Sequence, residues 1–108
     1  MTTRTTDRSA RELAAKDAIN EALALFQRRW TLRVLWELRA GALTFRTLQA
    51  RCGDISPTVL NQRLAELREA ALVGADEGGY RLSALGEELI VAFAPLSQWA
   101  QRWRRARH

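Results

Sequence analysis

Residues 55–73 read Ile-Ser-Pro-Thr-Val-Leu-Asn-Gln-Arg-Leu-Ala-Glu-Leu-Arg-Glu-Ala-Ala-Leu-Val, and this stretch decides the architecture. Ser56 places a side-chain acceptor at a helix N-cap. Pro57 follows at the first helical position, where its fixed φ suits the helix and the missing amide hydrogen would be unpaired anyway. The segment then runs to about Ala70. Leu60, Leu64 and Leu67 fall at i, i+4 and i+7 and form a core-facing stripe, whereas Thr58, Asn61, Gln62, Ala65 and Glu69 follow the same period on another face. One face is greasy; the other is polar and short-chained.

Upstream, Cys52-Gly-Asp-Ile-Ser56 reads as a short turn. Before it, Thr44 can cap a short helix carrying Phe45 and Leu48, which Gly53 closes. Trp30 to Arg39, with Leu32, Leu35, Trp36 and Leu38, is a second helical segment, and Gly41 is its stop. From about Ala10 to Phe26 the positions Leu13, Ala14, Ala18, Ala22 and Leu25, with Ile19 and Phe26 alongside, recur at helical spacing. Residues 1–9, rich in Thr and Arg, are expected to form a flexible basic arm. Downstream, Val73 to Leu82 reads as a hairpin turning at Gly78-Gly79, which pairs Glu77 with Tyr80, Asp76 with Arg81 and Ala75 with Leu82. Val73, Ala75, Tyr80 and Leu82 then share a face. Ser83 can cap a last helix whose Leu85, Leu89, Phe93, Leu96, Trp99 (or Ala100) and Trp103 make an apolar seam. Pro95 should kink or split it.

Three helices with a short turn between the second and third, followed by a hairpin, is the order of a winged helix-turn-helix. The fold class is therefore mainly α, with residues 10–108 as a single domain that has a short β-hairpin wing and flanking N- and C-terminal dimerisation helices. In such a unit the second helix of the turn motif enters the DNA major groove. Here it presents Ser56, Thr58, Asn61 and Gln62. Asn and Gln can pair bidentately with adenine, a Thr methyl can touch a thymine methyl, and Arg63 or Arg46 could reach phosphate, with Arg81 as the cation of the wing.

Composition agrees with this reading. The 108 residues are 47% hydrophobic and 27% charged, enough to bury one core. Seventeen basic residues against twelve acidic ones give a net charge of +5, which favours an anionic partner. The excess lies at the ends: residues 1–16 carry +2, residues 97–108 carry +4, and residues 17–96 sum to −1. Attraction to DNA must then come from locally placed arginines and helix N-termini.

The sole cysteine, Cys52, excludes an intramolecular disulfide, and the sole histidine is His108. No paired carboxylates, phosphate loop or nucleophile with a base is present, so an enzyme is the least supported class, and no cofactor or metal site is expected. No stretch is apolar enough to span a bilayer and no secretion signal is evident, so a cytoplasmic location is expected. Leu25, Phe26, Leu96, Trp99 and Trp103 are more large apolar side chains near the termini than one small domain needs. They point to a homodimer; the alternative is that both tryptophans pack on the first helix of their own chain.

Several blocks together resemble one family. Arg29-Trp-Thr-Leu-Arg-Val-Leu-Trp-Glu-Leu, Leu43-Thr-Phe-Arg-Thr-Leu, the segment 55–73, Tyr80-Arg-Leu-Ser and Leu96-Ser-Gln-Trp99 are similar to the HxlR-type transcriptional regulators, relatives of the MarR group. The resemblance covers about residues 17–103. It implies a bacterial DNA-binding homodimer whose first and last helices pack across the two-fold axis, on a pseudo-palindromic operator. Three departures stand out. Asp17 occupies the place where many members carry a sensing cysteine. The wing is short and acidic, with Asp76 and Glu77. Ala71 stands where a glycine usually follows the recognition helix; if the chain turns left-handed there, alanine costs on the order of 1 kcal/mol.

The favoured function is a sequence-specific DNA-binding transcriptional regulator. Repression is its expected sign, because a dimer covering a promoter blocks polymerase without further contacts. The alternative is a winged-helix protein–protein interaction module or anti-repressor with weak or lost DNA binding, which the neutral body and acidic wing support. Apolar space near Trp36, Phe93 and Trp99 could hold a small apolar effector; otherwise these rings fill the core.

Overall fold

The computed structural model describes residues 2–108, with side chains from Asp7 onward. In chain order the elements are α1 (Thr2–Gln27), α2 (Thr31–Glu37), α3 (Phe45–Cys52), α4 (Pro57–Glu69), β1 (Val73–Asp76), β2 (Gly79–Leu82) and α5 (Ala84–Arg107). This is a winged helix: a three-helix body, a two-stranded antiparallel hairpin and two long terminal helices.

Local chemistry starts three of these helices. The Oγ1 of Thr44 accepts the Thr47 amide hydrogen at 3.2 Å, Ser56 Oγ accepts that of Val59 at 3.1 Å, and Ser83 Oγ accepts that of Gly86 at 3.1 Å. Each such cap contributes about 1 kcal/mol. Burial does the rest. Leu60, Leu64 and Leu67 of α4 close against Val34, Leu35 and Leu38 of α2, Leu48 and Cys52 of α3, Ile55, and Val73 and Leu82 of the hairpin. The recognition-type helix is thereby fixed on its apolar side.

Both terminal helices run longer than the spacing of their apolar positions indicates. The chain is helical from Thr2, so α1 extends through residues 2–9. Threonine lowers helix propensity only modestly, and no Gly or Pro interrupts the segment. Likewise α5 remains one helix through Pro95. Val91 and Pro95 both lie on its exposed side, where water can take up the carbonyl that proline leaves unpaired.

The hairpin register also differs from the sequence reading. Val73 faces Leu82, Gly74 faces Arg81, Ala75 faces Tyr80 and Asp76 faces Gly79, so the turn pair is Glu77-Gly78 rather than Gly78-Gly79. The shift is even, and Val73, Ala75, Tyr80 and Leu82 keep their common face. Two contacts set this register. Asp76 Oδ1 accepts the Gly78 amide hydrogen at 2.8 Å, closing the turn with a side chain. Gly79, at φ 112°, lies so close to the Leu43 carbonyl that a Cβ there would meet its oxygen at 2.3 Å. The approach is productive, because Leu43 and Tyr80 exchange both backbone hydrogen bonds, at 2.9 and 2.8 Å, and add a one-residue third strand to the wing.

Ala71 does adopt the left-handed conformation, with φ 64°. The Leu72 amide donates to the Leu67 carbonyl at 2.9 Å and that of Ala71 to Arg68 at 3.0 Å, a Schellman ending that glycine would favour.

Candidate nucleic-acid interface

The outward face of α4 carries Ser56, Thr58, Asn61 and Gln62, all exposed. Ser56 Oγ accepts the capping hydrogen bond with one lone pair and keeps its hydroxyl hydrogen and second lone pair for an outward partner. The side chains of Thr58, Asn61 and Gln62 make no hydrogen bond to another described residue. Behind them the backbone is held by the cap, Pro57 and the three buried leucines. Polar groups with two-sided hydrogen-bonding capacity thus stand on a rigid helix at its N-terminal half, a geometry suited to reading base edges. Arg46, exposed on α3 with no ion pair among the described residues, can supply a phosphate contact beside them.

The other two arginines are differently placed. Arg63 does not face outward as the sequence reading had it. It is only 9% exposed, with Nε donating to the Arg29 carbonyl at 2.8 Å and Nη1 on Glu66 Oε1 at 2.8 Å. Its period on the helix puts it beside Leu60, Leu64 and Leu67, and the guanidinium is consumed inside the protein. Arg81 remains exposed but is ion-paired with Asp76 across the wing. The pairing anticipated from sequence occurs, although along a diagonal rather than directly opposite.

Glu66 completes a cluster that sequence reasoning missed. Its Oε2 lies 3.0 Å from Arg28 Nε, so one carboxylate bridges Arg63 of α4 and the residue that follows α1. Only the i, i+3 spacing of Arg63 and Glu66 was legible; the Arg29 carbonyl, 34 residues away, was not.

The terminal helices carry the remaining candidates. Leu96, Trp99 and Trp103 are 54%, 50% and 47% exposed. The two indoles stack at 5.8 Å with planes 11° apart, and the Arg107 guanidinium lies 4.2 Å over Trp103. Leu25 and Phe26 are half-buried and, with Ala18, Ala22, Leu72 and Leu89, line an open apolar groove of about 480 Å³. Trp36 and Phe93 make an edge-to-face contact at 6.0 Å, with Arg39 stacked on Trp36 at 4.1 Å. Trp99 stands apart on the outer part of α5. Cys52 is buried, and its thiol pKa is pushed up by desolvation and then by the Glu37 carboxylate, which outweigh the opposing pull of Arg33. That is a packing cysteine rather than a reactive one. No helix of the described residues is long and apolar enough to cross a membrane.

A capped, core-anchored second helix with an open polar face, followed by a wing, defines the class of winged helix-turn-helix DNA-binding regulators. The family profile described as HxlR-like helix-turn-helix matches residues 25–108, and the chain belongs to that family. Relatives agree. The HTH-type transcriptional regulator YvaP of Bacillus subtilis is 27% identical over 90 residues, covering 77% of this chain and 83% of YvaP. The HTH-type transcriptional regulator Mb3122 of Mycobacterium bovis is 32% identical over 94 residues, or 81% of this chain, which spans 59% of that longer protein. Among solved structures, quinone-bound YodB from B. subtilis superposes with a TM-score of 0.76 at 26% identity, covering 80% of this chain and 98% of YodB. The chain is a transcriptional regulator with a helix-turn-helix DNA-binding domain.

Proposed function

We propose that this protein is a cytoplasmic, sequence-specific repressor that acts as a homodimer on a pseudo-palindromic operator. In this reading α4 lies in the major groove, Thr58, Asn61 and Gln62 read base edges, Ser56 and Arg46 hold the backbone, and Arg81 contributes from the wing. The observation that carries it is the unpartnered Thr58-Asn61-Gln62 face on a helix immobilised from behind. Leu25, Phe26, Leu96, Trp99 and Trp103 form the two-fold contact, which puts the two α4 helices in successive major grooves. The apolar groove beside Leu25 and Phe26 then adjoins the interface and has room for a small apolar effector. YodB, crystallised with a quinone, offers a precedent for such a ligand class.

Selection of duplexes from random and genomic DNA, followed by gel shifts at two salt concentrations, tests the reading. Competitor-resistant binding to one palindromic sequence is expected. Asn61→Ala or Gln62→Ala should cost about 1–3 kcal/mol on that site and relax preference at one base pair, leaving binding to random DNA unchanged. Absence of any preferred duplex would reject it in favour of a protein-interaction module, a reading that the Asp76–Arg81 pair in the wing favours.

A further inference from the structure

Trp30 has φ 80°, a left-handed conformation held by a bulky aromatic at the N-cap of α2, and it has no capping side-chain hydrogen bond. Such a conformation persists only where neighbours over-determine it. Here the neighbours come from α4. Arg63 Nε bonds the carbonyl of Arg29, the oxygen of the peptide bond that enters Trp30. Glu66 holds the same guanidinium with one oxygen and Arg28 with the other.

Otherwise α1 is loosely attached to its own domain. Residues 7–21 are exposed throughout, and only Ala22, Leu25 and Phe26 near its end are half-buried. Beside the packing of Leu25 on the core, the Arg63–Glu66–Arg28 cluster is the polar link between α4 and the end of α1. We infer that Arg63, Glu66 and Arg28 are positioning residues for operator recognition: the clamp sets the angle between α4 and α1, and through the paired α1 helices the separation of the two α4 helices. This rests on the dimeric DNA-binding reading and assigns to it the determinant of half-site spacing. None of the three touches a base.

The test uses the full chain and a series of duplexes in which the half-sites of the selected operator are moved apart or together one base pair at a time. Wild-type protein, Arg63→Lys, Glu66→Gln, the double variant of these two and Arg28→Gln are compared at several salt concentrations, with the thermal midpoint of each recorded. The clamp predicts that Glu66→Gln and Arg63→Lys each flatten the spacing preference about tenfold, and that the double variant is no worse than either single one. The slope of log affinity against log salt should stay at the wild-type value, because no phosphate contact is lost.

Two outcomes would overturn the clamp itself. If Arg63 contacts phosphate, Arg63→Lys binds like wild type, and Glu66→Gln, having shed a negative charge, binds every duplex more tightly with the optimum intact. If the cluster only braces the fold, the midpoint falls while the spacing profile keeps its shape. If Arg63→Lys does not fold, the same profile in Glu66→Gln and Arg28→Gln decides. A wild-type protein with no spacing optimum removes the dimeric regulator reading itself and this inference with it; an optimum that the variants keep removes the clamp alone.

Discussion

Ala71 sits at φ 64° because the chain must reverse between α4 and β1, and the Schellman hydrogen bonds of Leu72 and Ala71 enforce that reversal. A methyl group there meets the following carbonyl, at a cost of about 1 kcal/mol relative to glycine. Ala71→Gly should therefore raise unfolding stability by up to about 1 kcal/mol, reduced by the extra freedom glycine gives the unfolded chain. Urea titration reads this as a higher midpoint at an unchanged slope. A lower midpoint would mean that the Ala71 methyl packs favourably. Because Ser83 Oγ donates to the Ala71 carbonyl at 2.6 Å, the same residue ties the start of α5 to the entry of the wing, and the reversal must survive the substitution. Cys52 carries a linked effect of its own: with its folded pKa raised, the unfolded thiol ionises first, and stability declines as pH rises above the ordinary thiol range.

At the scale of elements, caps and periodicity were legible because they are local. Thr44, Ser56 and Ser83 announce helices within four residues of themselves, and the Leu60-Leu64-Leu67 stripe states which side of α4 is buried. The wing was legible only in part. Strand parity follows from alternation, but the turn pair depends on the Leu43 carbonyl lying against Gly79, a contact between segments more than thirty residues apart. Arg63 was misplaced for the same kind of reason. A charged residue next to a leucine stripe reads as exposed until a distant backbone acceptor, the Arg29 carbonyl, is known to meet it. The wing's charge has its own consequence. Asp76 both caps the turn through Oδ1 and neutralises Arg81 through Oδ2. Asp76→Asn keeps the acceptor and removes the charge, so Arg81 is released with the turn intact. Affinity for all duplexes should rise, and the salt slope should steepen by about 0.9, one phosphate contact's worth. An unchanged slope would place the wing away from DNA.

For the whole molecule the decisive quantity is how far the terminal helices stand from the body. A compact chain of this length has a radius of gyration near 13 Å, whereas the observed value is 17.2 Å with extents of 58 × 41 × 22 Å. The excess comes from α1 and α5, which leave Leu13, Ile19, Leu23, Leu96, Trp99 and Trp103 about half exposed or more. A second copy of the chain presents the same apolar faces and can cover them isologously. The stacked pair Trp99-Trp103 is the largest aromatic surface involved, and it lies outside the core that supports α4. Trp99→Ser combined with Trp103→Ser should therefore leave the helical circular dichroism and the α4 face intact while converting the proposed dimer of 12.2 kDa chains to monomer by sedimentation. Loss of the linked half-site should weaken operator binding by about a hundredfold or more, since each α4 then binds without the effective concentration its partner supplied. Binding to a single half-site should be unchanged. If the variant remains dimeric, the two-fold contact runs through α1 alone, and the outer turns of α5, with their four arginines, stay free for another role.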